Sequence, residues 1–115
     1  MKLAKVVQYN MSMQKKTISA QDVHFISDIL KKYLNPHKQT AFIFGSAAAK
    51  KMRRSSDIDI GLEGEDITSE TYFSIKQDLE DSNLPFTVDI VRFSEVNDRF
   101  KEIAKKDIIP IPITL

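Results

Sequence analysis

The amino-acid sequence predicts a single two-layer α/β domain, in which a small mixed β-sheet is covered by helices on one face. Helical and strand patterns alternate along the chain, and the strand patterns are short and bounded by glycine or proline. The length of 115 residues suits one hydrophobic core and is too short for two. We therefore assign residues 19–115 to one domain and residues 1–18 to an N-terminal extension.

The first element is predicted to be a helix that begins at Ser19. Ser19 and Asp22 have the spacing of a capping box, in which each side chain accepts a hydrogen bond from the backbone of the other residue. The pair Asn35-Pro36 ends this helix, because proline cannot continue it. The apolar residues between these signals fall on one helical stripe, formed by Val23, Ile26, Ile29, Leu30, Tyr33 and Leu34.

Three strands are predicted from runs of β-branched and aromatic residues. In chain order they are TAFIFGS at 40–46, DIDIGL at 57–62 and FTVDIVRF at 86–93. Gly45 closes the first strand, and ten residues separate Ser46 from Asp57, which opens the second. This short connection predicts that the first two strands are antiparallel neighbours.

Further helices are predicted around these strands. A short alanine-rich turn follows the first strand, and an amphipathic helix covers residues 68–81. Ser94 is predicted to cap a last helix, and aromatic residues at helical or strand spacing are assigned to the core. The apolar face of that last helix contains Val96, Phe100, Ile103 and Ala104. The tail DIIPIPITL has two prolines, so we do not expect a central strand there.

Charge is distributed unevenly, although the net charge is only +1. Residues 1–56 carry eleven Lys or Arg against two acidic residues, whereas residues 57–115 carry six against fourteen. The pI of about 7.9 disfavours a protein that coats nucleic acid, since such domains usually have a pI above about 9. The sequence therefore predicts that the positive charge serves a local site.

The residue types present exclude several kinds of chemistry. The chain has no cysteine, so it cannot use disulfides, thiolate metal ligands or a thiol nucleophile. No stretch approaches about 18 consecutive apolar residues, and the N-terminus lacks the apolar segment of a secretory signal. We therefore expect a cytoplasmic protein that does not enter a membrane and that relies on oxygen ligands.

Three aspartates are predicted to meet on one face of the sheet. Side chains alternate along a strand, so Asp57 and Asp59 point the same way while the isoleucines that follow them enter the core. Asp89 lies between the core residues of the third strand and can join them. Such carboxylates repel one another unless a cation is bound, and Mg²⁺ is commonly held by carboxylates together with substrate phosphates. The trio therefore predicts a Mg²⁺-dependent nucleotide site.

The residues before this trio suit a triphosphate. Gly45 lets a phosphate approach the backbone, and Ser46 offers a hydroxyl group and an N–H at the start of a short helix. Four basic residues can balance the phosphate charge, or form an ordinary solvated surface: Lys50, Lys51, Arg53 and Arg54. Taken singly, each aspartate is explained by a solvated strand face. Together with the Gly-Ser pair, the three aspartates favour a functional site.

A motif runs through the three strands, and its parts in chain order are Gly45-Ser46, a ten-residue spacer, Asp57-Ile58-Asp59 and Asp89. This motif resembles the signature of the polymerase-beta-type nucleotidyltransferase superfamily. The small size and the lack of a second domain resemble its minimal nucleotidyltransferase (MNT) branch. The resemblance covers roughly residues 19–106. Within it, Arg53 matches a frequent arginine and Ser56 matches the serine before the first aspartate.

The resemblance implies a nucleotidyltransferase fold and the metal-dependent transfer of a nucleoside monophosphate, commonly AMP from ATP, to an acceptor. In that family two metal ions are held by three acids, which here are Asp57, Asp59 and Asp89. The third acid can also help to deprotonate the acceptor. Nucleotide binding is assigned to Gly45, Ser46, Lys50, Lys51, Arg53 and Ser56.

The resemblance also implies a partner. Minimal members similar to this chain are often encoded beside a HEPN-domain protein and act as the antitoxin of that pair. Some of them neutralise the toxin by adding AMP to one of its tyrosines. We therefore expect a hetero-oligomer with a HEPN-domain protein from a neighbouring gene.

The spacer departs from the common pattern Gly-Ser-Arg-Ala-Arg-Gly. Ala47, Ala49 and Lys50 stand where that pattern has two arginines and a glycine, and Lys50 or Lys51 can substitute for the lost charge. Two alternative functions stay open. One is an antitoxin that neutralises its HEPN partner by occlusion, and the other is a nucleotidyltransferase that acts on a small molecule such as an antibiotic.

Overall fold

The computed structural model describes residues 18–49 and 57–114 of the chain. The helices in these ranges are α1 (Ala20–Leu30), α2 (Gly45–Ala48), α3 (Ser69–Glu80) and α4 (Asp98–Ala104), and a 3-10 turn spans Phe93–Glu95. The strands are β1 (Gln39–Phe44), β2 (Ile58–Gly64), β3 (Val88–Arg92) and β4 (Ile109–Ile111). All of the predicted N-terminal extension except Ile18 lies outside the described residues. None of the helices described here has the length and hydropathy that crossing a membrane requires.

Helix α1 begins with the predicted capping box. The Ser19 side chain accepts a hydrogen bond from the Asp22 N–H at 3.0 Å, and the Asp22 carboxylate accepts one from the Ser19 N–H at 3.0 Å. The helix ends at Leu30, earlier than predicted, and a turn follows it. Leu34 is nevertheless buried, because the turn keeps that side chain against the core.

The strands form one mixed sheet in the order β3-β2-β1-β4. Strand β1 is antiparallel to both β2 and β4, which confirms the predicted pairing of the first two strands. Strands β2 and β3 are parallel, and α3 lies in the crossover that joins them. The register places Ile43 opposite Ile60 on one face of the sheet and Phe44 opposite Asp59 on the other face.

One face of the sheet packs against α1 and α3 and forms the main hydrophobic core. Ile58 and Ile60 of β2 are fully buried in it, as the alternating pattern predicts. The helices contribute Ile26 and Leu30 from α1, and Ile75 from α3. Burying a side chain of this kind stabilises the fold by roughly 1.5–3 kcal/mol, so this face holds the two layers together.

The other face carries a smaller aromatic cluster, made of Phe42, Phe44 and Phe93. The Phe93 ring contacts the other two edge to face, with centroids 4.9 Å from Phe42 and 5.3 Å from Phe44. Val96, which follows the 3-10 turn, and Ala104 of α4 pack against this cluster. Helices therefore cover one face as predicted, and a partial second layer, which the sequence did not predict, covers part of the other.

Two predictions for the aromatic and capping residues are wrong. Ser94 lies inside the 3-10 turn, and the side chain of Asn97 caps α4 by accepting the Phe100 N–H at 2.8 Å. Phe25, Phe73 and Phe100 are exposed rather than buried in the core. These three lie on helix surfaces that no other described element covers completely.

The proline-containing tail forms a fourth strand, β4, which was not predicted. Among the described strands β4 pairs with β1 alone, so it lies at an edge of the described sheet, where proline is tolerated. The expectation that the tail forms no central strand is therefore confirmed. Asp57 precedes β2 instead of opening it.

Candidate active site

Two of the predicted acidic residues lie side by side on the face opposite the main core. The parallel register of β2 and β3 pairs Asp59 with Asp89, and register partners direct their side chains to the same face. Asp59 is half-buried, whereas Asp89 is exposed. Asp57 is also exposed and lies immediately before β2. The fold thus gathers the three predicted aspartates near the first residues of two adjacent strands.

The pKa of the Asp59 carboxyl is raised above its ordinary value. Burial is the largest cause, and the negative charges of Asp89 and then Asp57 add to it. Each of these causes disfavours the ionised carboxylate. Asp59 therefore lies where a proton or a metal cation would relieve an unfavourable charge.

The raised pKa fixes the sign of a pH effect on stability. The folded chain holds the Asp59 proton more tightly than the unfolded chain, so this contribution to stability is complete below pH 3.8 and is lost as the pH rises through the folded pKa. Asparagine has no ionisable carboxyl group, so the variant Asp59→Asn does not have this pH-dependent contribution to stability. Because the ionised Asp59 destabilises the folded wild type, we expect Asp59→Asn in chelator to be more stable than wild type, and by a larger margin at about pH 7 than at about pH 4, as measured by urea titration. A constant difference between the two pH values would contradict this explanation.

Gly45 lies directly against the Asp59 carboxylate. Its φ angle is +73°, a conformation that suits glycine, and a Cβ atom there would lie 2.3 Å from Oδ2 of Asp59. The contact follows from the register, because Phe44, which precedes Gly45, pairs with Asp59. The Gly-Ser part of the motif and its acidic part therefore pack against each other. The space that a Cβ atom of residue 45 would need is occupied by the Asp59 carboxylate.

The spacer residues differ in their surroundings. Ser46 is exposed beside Gly45. Ala47 is only 2% exposed and belongs to the main core, so a large charged side chain does not fit there without local repacking. The other residues assigned to nucleotide binding lie outside the described ranges, and they are Lys50, Lys51, Arg53 and Ser56.

A cavity that the sequence did not predict borders Gly45. We call it the α4 cavity, and it has a volume of about 350 Å³. Its lining residues are Phe44, Gly45, Phe100, Ile103, Ala104, Lys106 and Asp107. The signal in the sequence is the apolar face of the last predicted helix, whose aromatic residue Phe100 is predicted to lie in the core. Phe100 and Ile103 are 39% and 52% exposed, because α4 packs over only part of the sheet face.

Solved structures with a similar fold come from toxin–antitoxin complexes. One chain of a toxin–antitoxin complex with AMP-PNP has a TM-score of 0.66 and 23% identity, over 81% of this chain and 74% of that one. A chain of the toxin–antitoxin MntA–HpeT, in a double aspartate-to-glutamate mutant, has a TM-score of 0.65 and 22% identity, over 80% and 73%.

A third similar structure is a complex of the tri-AMPylated Shewanella oneidensis HEPN toxin with its MNT antitoxin. The matching chain has a TM-score of 0.54 and 21% identity, over 80% of this chain and 73% of that one. At these identities the three likenesses establish a shared fold. No curated protein matches the chain significantly.

The sequence itself matches a family model over most of its length. The model describes the polymerase beta nucleotidyltransferase domain and matches residues 24–111. These bounds include every strand of the sheet and all three aspartates at its face. The chain therefore belongs to the polymerase beta nucleotidyltransferase family.

Proposed function

We propose that the chain transfers AMP from ATP to a partner protein, and that it is the antitoxin of a HEPN-domain toxin. Membership of the nucleotidyltransferase family supports the reaction. The contact of Gly45 with Asp59, which is itself the register partner of Asp89, is the observation that carries the proposal. This contact brings the Gly-Ser part of the motif next to its aspartates, so a triphosphate bound at Gly45 would lie beside a cation bound at the carboxylates.

We propose that the three carboxylates hold two Mg²⁺ ions when nucleotide binds. Asp57, Asp59 and Asp89 offer only oxygen donors, and the charges that raise the pKa of Asp59 are those that a cation would neutralise. Within residues 18–49 and 57–114, no three acidic or histidine side chains are already grouped as a metal site. We therefore expect these carboxylates to reorient on binding. When bound, the ions would supply positive charge to the triphosphate and to the acceptor oxygen.

The residues of the chain would position the reactants around these ions. The exposed backbone of Gly45 and Ser46 would hold the triphosphate, and exposed Asp89 would accept the proton of the acceptor hydroxyl. A bond then forms between that oxygen and the α-phosphorus, while the bond from the α-phosphorus to the pyrophosphate oxygen breaks. We also assign phosphate contacts to the spacer, on the basis of motif spacing, at Lys50, Lys51, Arg53 and Ser56.

The identity of the partner rests on the similar structures. Each comes from a toxin–antitoxin complex, and in one of them the HEPN toxin carries AMP. We propose a tyrosine of a HEPN-domain protein as the acceptor and a hetero-oligomer as the working form. Because the reaction consumes ATP, we also propose that it takes place in the cytoplasm.

Incubation with labelled ATP and Mg²⁺ tests this function. The chain should co-purify with the HEPN-domain product of the neighbouring gene as one hetero-oligomer, and the label should be found on a tyrosine of that partner. Separate elution at low salt, together with a partner that acquires no label, would contradict both the acceptor and the antitoxin role.

Neutralisation by occlusion is the second candidate function. The burial of Ala47 favours it, because no phosphate-binding arginine fits at this position of the spacer. The two candidates differ in one outcome. An antitoxin that acts by transfer should lose protection of cells in the variant Asp59→Asn, whereas one that acts by occlusion should keep it. A small-molecule acceptor would instead leave the HEPN partner unlabelled in every variant.

A further inference from the structure

We propose that residues 1–17 bind back onto the helical layer of the same chain. The receiving surface is a groove of about 310 Å³ between the first turns of α1 and the connection from α3 to β3, and we call it the Phe25 groove. Helices α1 and α3 pack on the face of the sheet opposite Asp59 and Asp89, so this groove is separate from the candidate active site. Its lining residues include Gln21, Asp22 and Phe25 on α1, and Asn83 and Leu84 on the connection.

The groove continues the main core outward. Leu84 is partly buried and packs against the core cluster, and it lines the groove together with Phe25. The Phe25 side chain is 39% exposed, although Ile26 beside it is fully buried, and none of the described elements covers its ring completely. Further apolar side chains placed on Phe25 would therefore be removed from water on a surface that is already partly apolar.

Position makes residues 1–17 the occupant that can reach this groove. Ile18, the first described residue, packs against the main core just before the part of α1 that lines the groove. Phe25 lies about 9 Å along the helix from its N-cap Ser19, since a helix rises about 1.5 Å per residue. Met13, five residues before Ile18, can span up to roughly 17 Å. The chain can therefore reverse direction before Ile18 and bring Met13 to Phe25.

The residue types of the segment suit an aromatic ring at this place. Met11 and Met13 are the last large apolar residues before Ile18, and polar residues follow them up to Thr17. Methionine is flexible enough to fill an irregular groove, and its sulfur makes favourable contacts with aromatic rings. We therefore assign the contact with Phe25 to these two methionines.

Charge is complementary as well. Residues 1–17 contain four lysines and no acidic residue. Asp22 lies in the wall of the groove, and exposed Asp81 lies two residues before Asn83. Neither aspartate forms an ion pair with another residue of the described ranges. Exposed pairs of this kind contribute little affinity, so we expect the lysines to orient the segment and the methionines to hold it.

A second groove on the same layer is the competing site. It contains Phe73 of α3, whose side chain is 61% exposed, and it is lined by Tyr33 and Asp78. Tyr33 follows the C-terminal end of α1, whereas the Phe25 groove lies at the start of that helix. Residues close to Ile18 can therefore reach Phe25 but not Phe73.

Disulfide trapping in the full chain tests the inference, because the natural sequence has no cysteine. Met13→Cys would be combined with Gln21→Cys in the groove and, as the matched control, with His24→Cys, which is exposed on α1 outside the groove. Under mild oxidation the pair that includes Gln21→Cys should close about tenfold faster, because binding in the groove raises the effective concentration of the two thiols. Adding Phe25→Ser should remove this difference, whereas adding Phe73→Ser should leave it unchanged.

Accessibility of the opposite wall gives a second measurement, which does not need the Phe25 variant to fold. In the single-cysteine chain Asn83→Cys, alkylation should become about tenfold faster when Met11→Asp and Met13→Asp are added, because the segment then leaves the groove. An unchanged alkylation rate would show that the segment does not cover this wall.

The other outcomes each contradict the proposal. Equal rates for the two cysteine pairs would show that the segment has no preference for the groove. A disulfide that joins two chains, seen as a dimer on non-reducing electrophoresis, would place the segment on a second copy. Faster closure of Met13→Cys with Phe73→Cys would place it in the competing groove. If Asn83→Cys is protected only in the complex with a HEPN-domain protein, that partner covers the groove instead.

Discussion

Asp59→Asn should abolish nucleotide transfer and at the same time stabilise the protein in the absence of metal. Asparagine keeps the shape of the side chain but removes the charge that the proposed Mg²⁺ site requires. We expect the transfer rate to fall by about a thousandfold or more, since electrostatic groups at reacting phosphates contribute on this scale. Family membership alone does not predict the accompanying gain in stability.

The gain in stability follows from the surroundings of Asp59. The carboxylate is half-buried and is repelled by Asp89 and Asp57. Two carboxylates about 4 Å apart repel by roughly 4 kcal/mol at an effective dielectric of 20, a gross value that water and salt reduce greatly. We therefore expect Asp59→Asn to raise the free energy of unfolding of the metal-free protein by about 0.5–2 kcal/mol. Mg²⁺ should shrink or reverse this gain, because it stabilises only the wild type.

Denaturant titrations of wild type and mutant, each with chelator and with Mg²⁺, measure this effect. Asp81→Asn is a suitable control, because this exposed aspartate follows the last residue of α3, and among the described residues its side chain accepts hydrogen bonds only from Gln77. It should change neither transfer nor the response to Mg²⁺. A mutant at Asp59 that is less stable in chelator would show that the carboxylate makes favourable structural hydrogen bonds, and the explanation by repulsion would be wrong.

Local signals predicted the parts of the fold that depend on neighbouring residues. The Ser19–Asp22 capping box and the alternation of isoleucine and aspartate in β2 involve residues within a few positions of each other. Their structures follow from backbone hydrogen bonding and from the two-residue period of a strand. The short connection between β1 and β2 likewise limited their pairing to an antiparallel hairpin-like arrangement.

The features that the sequence did not predict depend on contacts between distant elements. Strand β4 contains Pro110 and is a strand only because the edge of β1 is available to it. The α4 cavity exists because α4 covers only part of the aromatic cluster, which leaves Phe100 and Ile103 exposed. An apolar stripe has the same sequence pattern whether it enters a core or lines a cavity. The contact between Gly45 and Asp59 also needed the register, since the motif spacing places the two residues only in the same region.

This contact leads to the second large effect, expected for Gly45→Ala. The new Cβ atom would lie 2.3 Å from Oδ2 of Asp59, and the φ angle of +73° is unfavourable for alanine. The left-handed backbone costs an alanine roughly 1–2 kcal/mol, and forcing a side chain into occupied space costs roughly 1–3 kcal/mol more. We expect a total loss of stability of about 2–5 kcal/mol, together with loss of transfer because the Asp59 carboxylate is displaced.

A double-mutant cycle separates the two causes of this loss. In the background Asp59→Ala the carboxylate is gone, so Gly45→Ala should cost only the backbone part, about 1–2 kcal/mol. Gly64→Ala is the matched control, because Gly64 also has a positive φ, of +130°, but its Cβ would lie 2.2 Å from the backbone oxygen of Lys38. Its cost should therefore be the same with and without Asp59. Urea titrations of the variants give each free energy of unfolding. If Gly45→Ala costs as much without the Asp59 carboxylate as with it, the glycine is required by its backbone conformation alone, and the packing of the Gly-Ser pair against the acid does not constrain the site.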